Sequence, residues 1–352
     1  MLSQLIVNSF ITGSIYALIA LSFAFIYGPT KYFNLAHGSF VVVGAYLYYT
    51  FNVDLHLGIA VSTTITALCV GLLGVIMYEM VFGPLSSGRK LGWVTLGTSL
   101  MVLAVVGTYY LTHMKGLQEP DTSPLVVTLV AFGVLGLFAL LAMLLPAKKI
   151  GSKTSGGLVP IVASLGIMTI IQSVLALIYG SHYKSIPGTS DIPTYSLFFG
   201  ARITLVQIII FLTGVGSCAS LMWMTFHTRF GRSIVALSDS HEMARIVGIS
   251  PDKSIAWVFF VGAALAGVSG VLVAYDVGVE PAMGMELLLK GAIASIIGGV
   301  GHLWGAITGG MILGTVENFG IWKLPVEWKS AIAFVVLIFF LLIKPEGLLK
   351  KK

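Results

Sequence analysis

Charge is what this sequence has least of: 10% of its 352 residues are Asp, Glu, Lys or Arg, where a soluble domain carries about 25%. Hydrophobic residues make up 57% and the mean hydropathy is +0.98. Apolar stretches long enough to cross a bilayer core, roughly 20 residues each, recur from end to end, so no soluble domain fits between them. Cysteine is scarce too. Cys69 and Cys218 both lie inside apolar stretches, where a thiol acts as a small hydrophobe and says nothing about redox compartment. A phosphate-binding G-x-x-x-x-G-K-[ST] loop is missing, since Gly151-Ser152-Lys153-Thr154 lacks the spacing that lets backbone N–H groups surround phosphates. With no H-E-x-x-H helix and no paired acids in the apolar core, the sequence offers no intramembrane enzyme.

What is present is an all-α, polytopic membrane bundle of about 10–11 transmembrane segments, some of them broken or re-entrant. Hydropathy predicts spans near 4–27, 38–51, 57–82, 93–111, 126–146, 158–181, 203–225, 255–275, 285–300, 303–320 and 327–344. The first stretch, Leu5 to Tyr27, has no basic n-region and no small-residue cleavage site and is too long for an h-region, so it counts as a span rather than a signal peptide. The net charge of +6 does not indicate nucleic acid, because the Lys and Arg sit in short loops and at the C-terminus. The basic loops hold Arg89 and Lys90, then Lys148, Lys149 and Lys153, then Arg229, Arg232 and Arg245, and finally Lys350 to Lys352. By the positive-inside rule they share the cytoplasmic side, which predicts an outside N-terminus and a cytoplasmic C-terminus in a prokaryotic inner membrane.

Three irregular segments carry the functional information. After Pro29, the run Thr30 to Gly38 places Asn34, His37 and Gly38 before an apolar run too short to span straight. Near the other end, Gly298, Gly299, Gly301 and His302 divide two short apolar runs. Irregular backbone at membrane depth must be covered by protein or line a water-filled cavity, and paired Gly-interrupted segments point to a transport pathway. The third segment, Thr225 to Ser254, is polar and predicts a helix of about two turns, started by Asp239 with Glu242 in a capping-box-like pair and stopped by Gly248. Met243, Ile246 and Val247 share one face of it, an apolar side exposed to water unless a partner covers it.

The chain resembles the membrane permease subunits of ABC importers of the branched-chain amino acid type. The resemblance rests on Asn34-Leu35-Ala36-His37-Gly38 with Val43-Gly44-Ala45-Tyr46, on Ala163-Ser164-Leu165-Gly166 with Ile178-Tyr179-Gly180, and on Phe230-Gly231-Arg232-Ser233 through Gly248. Gly298-Gly299-Val300-Gly301 and Lys344-Pro345-Glu346-Gly347-Leu348-Leu349 complete it. It implies one permease domain over residues 1–352, with a coupling loop at 226–254, a sister permease, two cytoplasmic ATPase subunits and an extracytoplasmic binding protein. ATP would be bound by the partners and no cofactor by this chain. The short helix resembles a coupling helix seated in an ATPase groove, which gives Asp239, Glu242, Met243, Ile246 and Gly248 a coupling role, with Arg232 and Arg245 as its charged rim. The chain departs from the family pattern by interposing two spans at about 83–150 between Phe82-Gly83-Pro84-Leu85 and Gly157.

The expected solute is small and polar, a branched-chain or other neutral amino acid, with urea or a short amide as the alternative. Its path is expected along Asn34, His37, Gly38 and Ser39 and along Gly298, Gly299 and Gly301, where half-helix ends supply partial charges. His37 either lines that path or bonds a carbonyl at the kink, whereas His302 reads as structural. The pairs Gly305 with Gly309 and Gly310 with Gly314 suit close helix packing. Asp276, Glu280 and Glu286 at the external end either contact the charged lobes of the binding protein or form an exposed acidic rim, and Lys290 either snorkels outward or pairs with Glu286 one turn away. Asn8, Thr12, Ser14 and Ser22 are expected to hydrogen-bond between helices. A channel or secondary carrier is the rival reading, weakened because none of the fourteen acids is expected near the middle of a span.

Overall fold

The computed structural model describes residues 2–83, 158–186, 194–196 and 200–349. The chain divides into two compact units, residues 1–75 with 161–352 and residues 76–160. The spans predicted at 93–111 and 126–146 belong to the second unit and lie outside the described residues.

The helices of the described chain are α1 (Leu2–Thr30), α2 (His37–Tyr49), α3 (Ile59–Met77), α4 (Leu158–Tyr179), α5 (Leu205–His227), α6 (Arg229–Asp239), α7 (His241–Ile246), α8 (Pro251–Asp276), α9 (Met283–Gly298), α10 (Leu303–Gly320) and α11 (Lys329–Ile343). Among the described residues six helices are long and apolar enough to cross a membrane, and α9 with α10 form a pair bent by 116°. The nine spans predicted within the described residues thus appear as six full-length helices, the half-length α2 and one bent pair. At 1.5 Å per residue the 13 residues of α2 rise only about 20 Å, too little to cross.

α1 is the axis of the first unit. Its apolar window is 94% buried, whereas that of α11 is 11% buried. Small residues explain how helices crowd around it. On α10, Gly310 and Gly314 lie against Ala17 and Gly13 of α1, while Gly305 and Gly309 lie against Gly298 and Ala294 of α9. Two small-residue stripes one position out of phase therefore let α10 fit between α1 and α9, the close approach that drives association where lipid supplies no hydrophobic force. Gly44 and Gly270 do the same where α2 crosses α8. Large apolar side chains such as Leu68, Ile170, Leu212 and Val335 point outward from α3, α4, α5 and α11, as a hydrocarbon-facing surface requires.

The ends of the bundle differ. At one pole a short antiparallel pair, β1 (Thr194–Ser196) with β2 (Arg202–Thr204), precedes α5. There the Gln4 side chain donates to the Arg202 carbonyl (3.0 Å) and accepts from its N–H (2.9 Å), so the N-terminus belongs to this pole. At the other pole Leu348 and Leu349 donate backbone bonds to the carbonyls of Ile297 and Gly298 (2.9 and 3.1 Å). The two ends of the described chain therefore lie at opposite poles.

Candidate functional site

The break between α1 and α2 is built by residues that stop a helix. Pro29 occupies the last turn of α1, and Lys31 follows with φ at 58°. The chain then turns back into the bundle. Asn34 Oδ1 accepts from the Ala36 N–H (3.1 Å), an Asx turn, and the Leu35 N–H donates to Ser164 Oγ on α4 (3.0 Å). His37, the first residue of α2, is fully buried, with Nε2 3.0 Å from Ser22 Oγ. The Ser22 hydroxyl already donates to the Ile19 carbonyl (2.9 Å), so its oxygen accepts and the ring proton is assigned to Nε2. Because Ser22 lies partway along α1, α2 begins deep in the bundle. His37 Nδ1 and Asn34 Nδ2 are buried without a hydrogen-bond partner among the described residues. Gly38 packs on the Gly284 carbonyl. Ser39 shares with Gln172, Pro281 and Gly284 a cleft of about 10 Å³, room for one water and no solute.

The second break lies between α9 and α10. Gly299 ends α9 at φ 110°, a conformation that L side chains avoid, and Gly301 (φ 78°) stands beside Tyr27 and Gly28. His302 has the structural role expected of it, since its Nδ1 accepts from the Gly305 N–H (3.3 Å) as the N-cap of α10. The turn Pro345-Glu346-Gly347 lies over Gly299, and the two backbone bonds from Leu348 and Leu349 satisfy carbonyls that the end of α9 leaves open. This places Gly298 against the Gly305 carbonyl and Gly299 under the C-terminal turn.

The polar segment after α5 folds as two helices. The predicted start at Asp239 is corrected: Asp239 is the last residue of α6, and Ser240 caps α7, its Oγ accepting from the Met243 N–H (3.3 Å). α6 runs on through Asp239 because Ile234 and Leu237, three residues apart, bury the same face. Gly248 (φ 84°) follows the end of α7. Met243 is 65% exposed, Ile246 78% and Val247 72%, and Arg232, Asp239, Glu242 and Arg245 are exposed around them. His241 points the other way. Its Nε2 lies 2.6 Å from the Pro29 carbonyl, and Ser238 packs on Gly28. A carbonyl only accepts, so this nitrogen donates. α7 is thereby bonded to the end of α1, at the break that leads to Asn34 and His37.

The sequence alone does not anticipate one buried acid, which sits in the last turn of α10. Glu317 lies within the apolar α10 and is fully buried. It accepts from the Tyr16 hydroxyl (2.7 Å) and has Lys290 and Lys329 each at 3.8 Å. Lys290 also meets Glu286 at 2.9 Å, the second of the two alternatives expected of it, and Ser330 donates to Glu286 (2.9 Å). Four helices, α1, α9, α10 and α11, meet in this network, and both carboxylates are matched by ammonium groups. A free carboxylate for a coupling ion is therefore not what Glu317 supplies. The Ser14 hydroxyl donates to the Ile11 carbonyl in its own turn rather than across helices, whereas Ser22, besides donating to the Ile19 carbonyl, accepts from His37 of α2 and so bonds between helices as expected. The signal for Glu317 was its place in an apolar run; its partners Lys329, Lys290 and Tyr16 stand 12, 27 and 301 residues away, beyond any local pattern.

Comparison with known proteins now decides the family. A family model described as branched-chain amino acid transport system / permease component matches residues 5–145 and 89–341. The chain belongs to this family. The high-affinity branched-chain amino acid transport system permease protein LivH of Escherichia coli (strain K12) is 26% identical over 350 residues, covering 98% of this chain and 94% of that protein. The corresponding permease BraD of Pseudomonas aeruginosa is 28% identical over 352 residues, 98% of this chain and 95% of its own. A probable branched-chain amino acid permease LivH of Methanocaldococcus jannaschii is 26% identical over 293 residues, 78% of this chain and 90% of its own. The chain is a multi-pass membrane permease of an ABC importer, a transport component rather than an enzyme, and it works with other components of such a system.

Proposed function

We propose that this permease carries branched-chain or other neutral amino acids into the cell, paired with a sister permease and driven by two ATPase subunits that hold the ATP. The observation that carries the reading is the hydrogen bond from His241 to the Pro29 carbonyl. It joins a helix whose Met243 and Ile246 are exposed to the break that sets Asn34 and His37 deep in the bundle. An amphipathic helix laid in a groove is a common recognition mode, and α7 offers an ATPase its apolar side with Arg232 and Arg245 at the rim. In this reading the pole with α7 and the C-terminal turn is cytoplasmic, and the N-terminal pole meets the binding protein outside.

The path runs past Asn34, His37, Gly38 and Ser39 and past the turn at Gly298, Gly299 and Gly301, closed in the conformation described. His37 Nδ1 and Asn34 Nδ2 are the groups available to a passing solute when it opens. The N-terminus of α2 adds partial positive charge at the same depth, suited to a carboxylate.

Reconstitution tests this. The full-length chain, co-expressed with its neighbouring transport genes and placed in proteoliposomes, should accumulate radiolabelled leucine only with ATP and binding protein. Ile246→Asp should abolish uptake and co-purification of the ATPase. Uptake of urea in place of leucine would reassign the solute, and full uptake by Ile246→Asp would remove α7 from the ATPase interface.

A further inference from the structure

A polar cavity of about 180 Å³ opens at the N-terminal pole among α1, α5, α8 and α10, lined by Asn8, Ile11, Thr12, Gln207, Asp276 and Asn318. For scale, an engineered cavity of about 150 Å³ holds benzene. Its floor is buried, with Thr12 8% and Asn318 5% exposed, and its mouth carries the exposed Asp276. Ile11 is the one apolar side chain in the lining. The polar groups are not spent on each other. Asn8 Oδ1 accepts from Gln4 Nε2 (3.1 Å), Gln207 Oε1 accepts from the Thr204 N–H (3.0 Å), and Asn318 Nδ2 donates to the Gly314 carbonyl (2.8 Å). Asp276 makes no hydrogen bond among the described residues, and the Lys329 ammonium acts on it electrostatically.

A carboxylate at the mouth, with amide and hydroxyl groups behind it, suits a cation that donates several hydrogen bonds. A primary ammonium does so, and each such bond to a carboxylate is charge-assisted. The lining is too polar to hold a branched aliphatic side chain as well. We infer that this cavity is the external entry site of the permease and that Asp276 receives the primary ammonium group of the solute. The inference rests on the proposed amino acid substrate and names the group of it that is held first.

Equilibrium binding tests it without the binding protein or ATP: radiolabelled leucine is titrated onto the purified permease pair in nanodiscs. Asp276→Asn should raise Kd by about tenfold or more, the worth of one charge-assisted hydrogen bond, and Asp276→Glu should restore most of the affinity. Leucinamide, which keeps the ammonium, should compete; 2-hydroxy-4-methylpentanoate, which lacks it, should not. Should either Asp276 variant fail to assemble, Asn8→Ala gives the same test with a several-fold weaker Kd. Unchanged affinity in Asp276→Asn, or in Asn8→Ala if that variant stands in, overturns the site. So does loss of leucine binding when sodium is replaced by choline, which would make the occupant an inorganic cation. If leucine does not bind but leucinamide does, dependent on Asp276, the ammonium site stands and the amino acid substrate falls.

Discussion

The two poles of this bundle handle polar groups in opposite ways. At the N-terminal pole charges are carried inward on side chains: Glu317 and Lys290 are buried within apolar helices, and Asp276, Asn8 and Asn318 surround a cavity. At the opposite pole the charged side chains stay on the exposed surface of α6 and α7, and the breaks are held largely by backbone groups. Gly299 turns the chain, the Leu348 and Leu349 N–H groups cover the end of α9, and the Pro29 carbonyl is taken by His241. On the proposed function, recognition belongs to the first pole and movement to the second.

Substitutions that break this contrast should differ in size. The largest effect is expected of Gly298→Val, because any Cβ there meets the Gly305 carbonyl on the facing helix. Two backbones would have to part, so we expect loss of folded, monodisperse protein in detergent, a cost at the upper end for single substitutions, about 4 kcal/mol or more. Next comes Glu317→Leu, which leaves Lys290 buried with Glu286 alone; breaking a buried pair typically costs about 3–5 kcal/mol. The double variant Lys290→Met with Glu317→Leu should recover much of that loss in thermal unfolding. If the double variant is as unstable as the single, the network matters through something other than its charge.

Much of the second pole was legible in the sequence. A proline followed by Asn, His and Gly before a short apolar run marks a half-helix, and four glycines within a short stretch mark a break. Local chemistry decides both, so local pattern shows them. The first pole was far less legible. Tyr16, Lys290 and Glu317 meet only after α1, α9 and α10 have packed, so the apolar run around Glu317 shows that it is unusual but not what it pairs with. The cap of α7 failed for a subtler reason: Asp239 and Ser240 are both good caps, and burial of Ile234 and Leu237 on the preceding helix chose between them. The small-residue pairs on α10 were visible, but not which helix each would face.

The smallest effect expected is that of Ser240→Ala, which removes the side-chain cap of α7 for about 1 kcal/mol. Amide hydrogen exchange at Met243 to Ile246 should quicken by roughly fivefold while α1 is unaffected. Equal quickening in α1 would show that the two are less separable than the cap implies.

The central claim is that α7 reaches the path through Pro29, and the ratio of solute moved to ATP hydrolysed tests it most directly. In proteoliposomes holding the complete transporter, His241→Ala should still hydrolyse ATP, because the exposed face of α7 is untouched, while leucine moved per ATP falls about tenfold. His241→Asn or His241→Gln, each of which can still donate to a carbonyl, should recover part of the ratio. A ratio in His241→Ala equal to that of the unaltered protein would contradict the account.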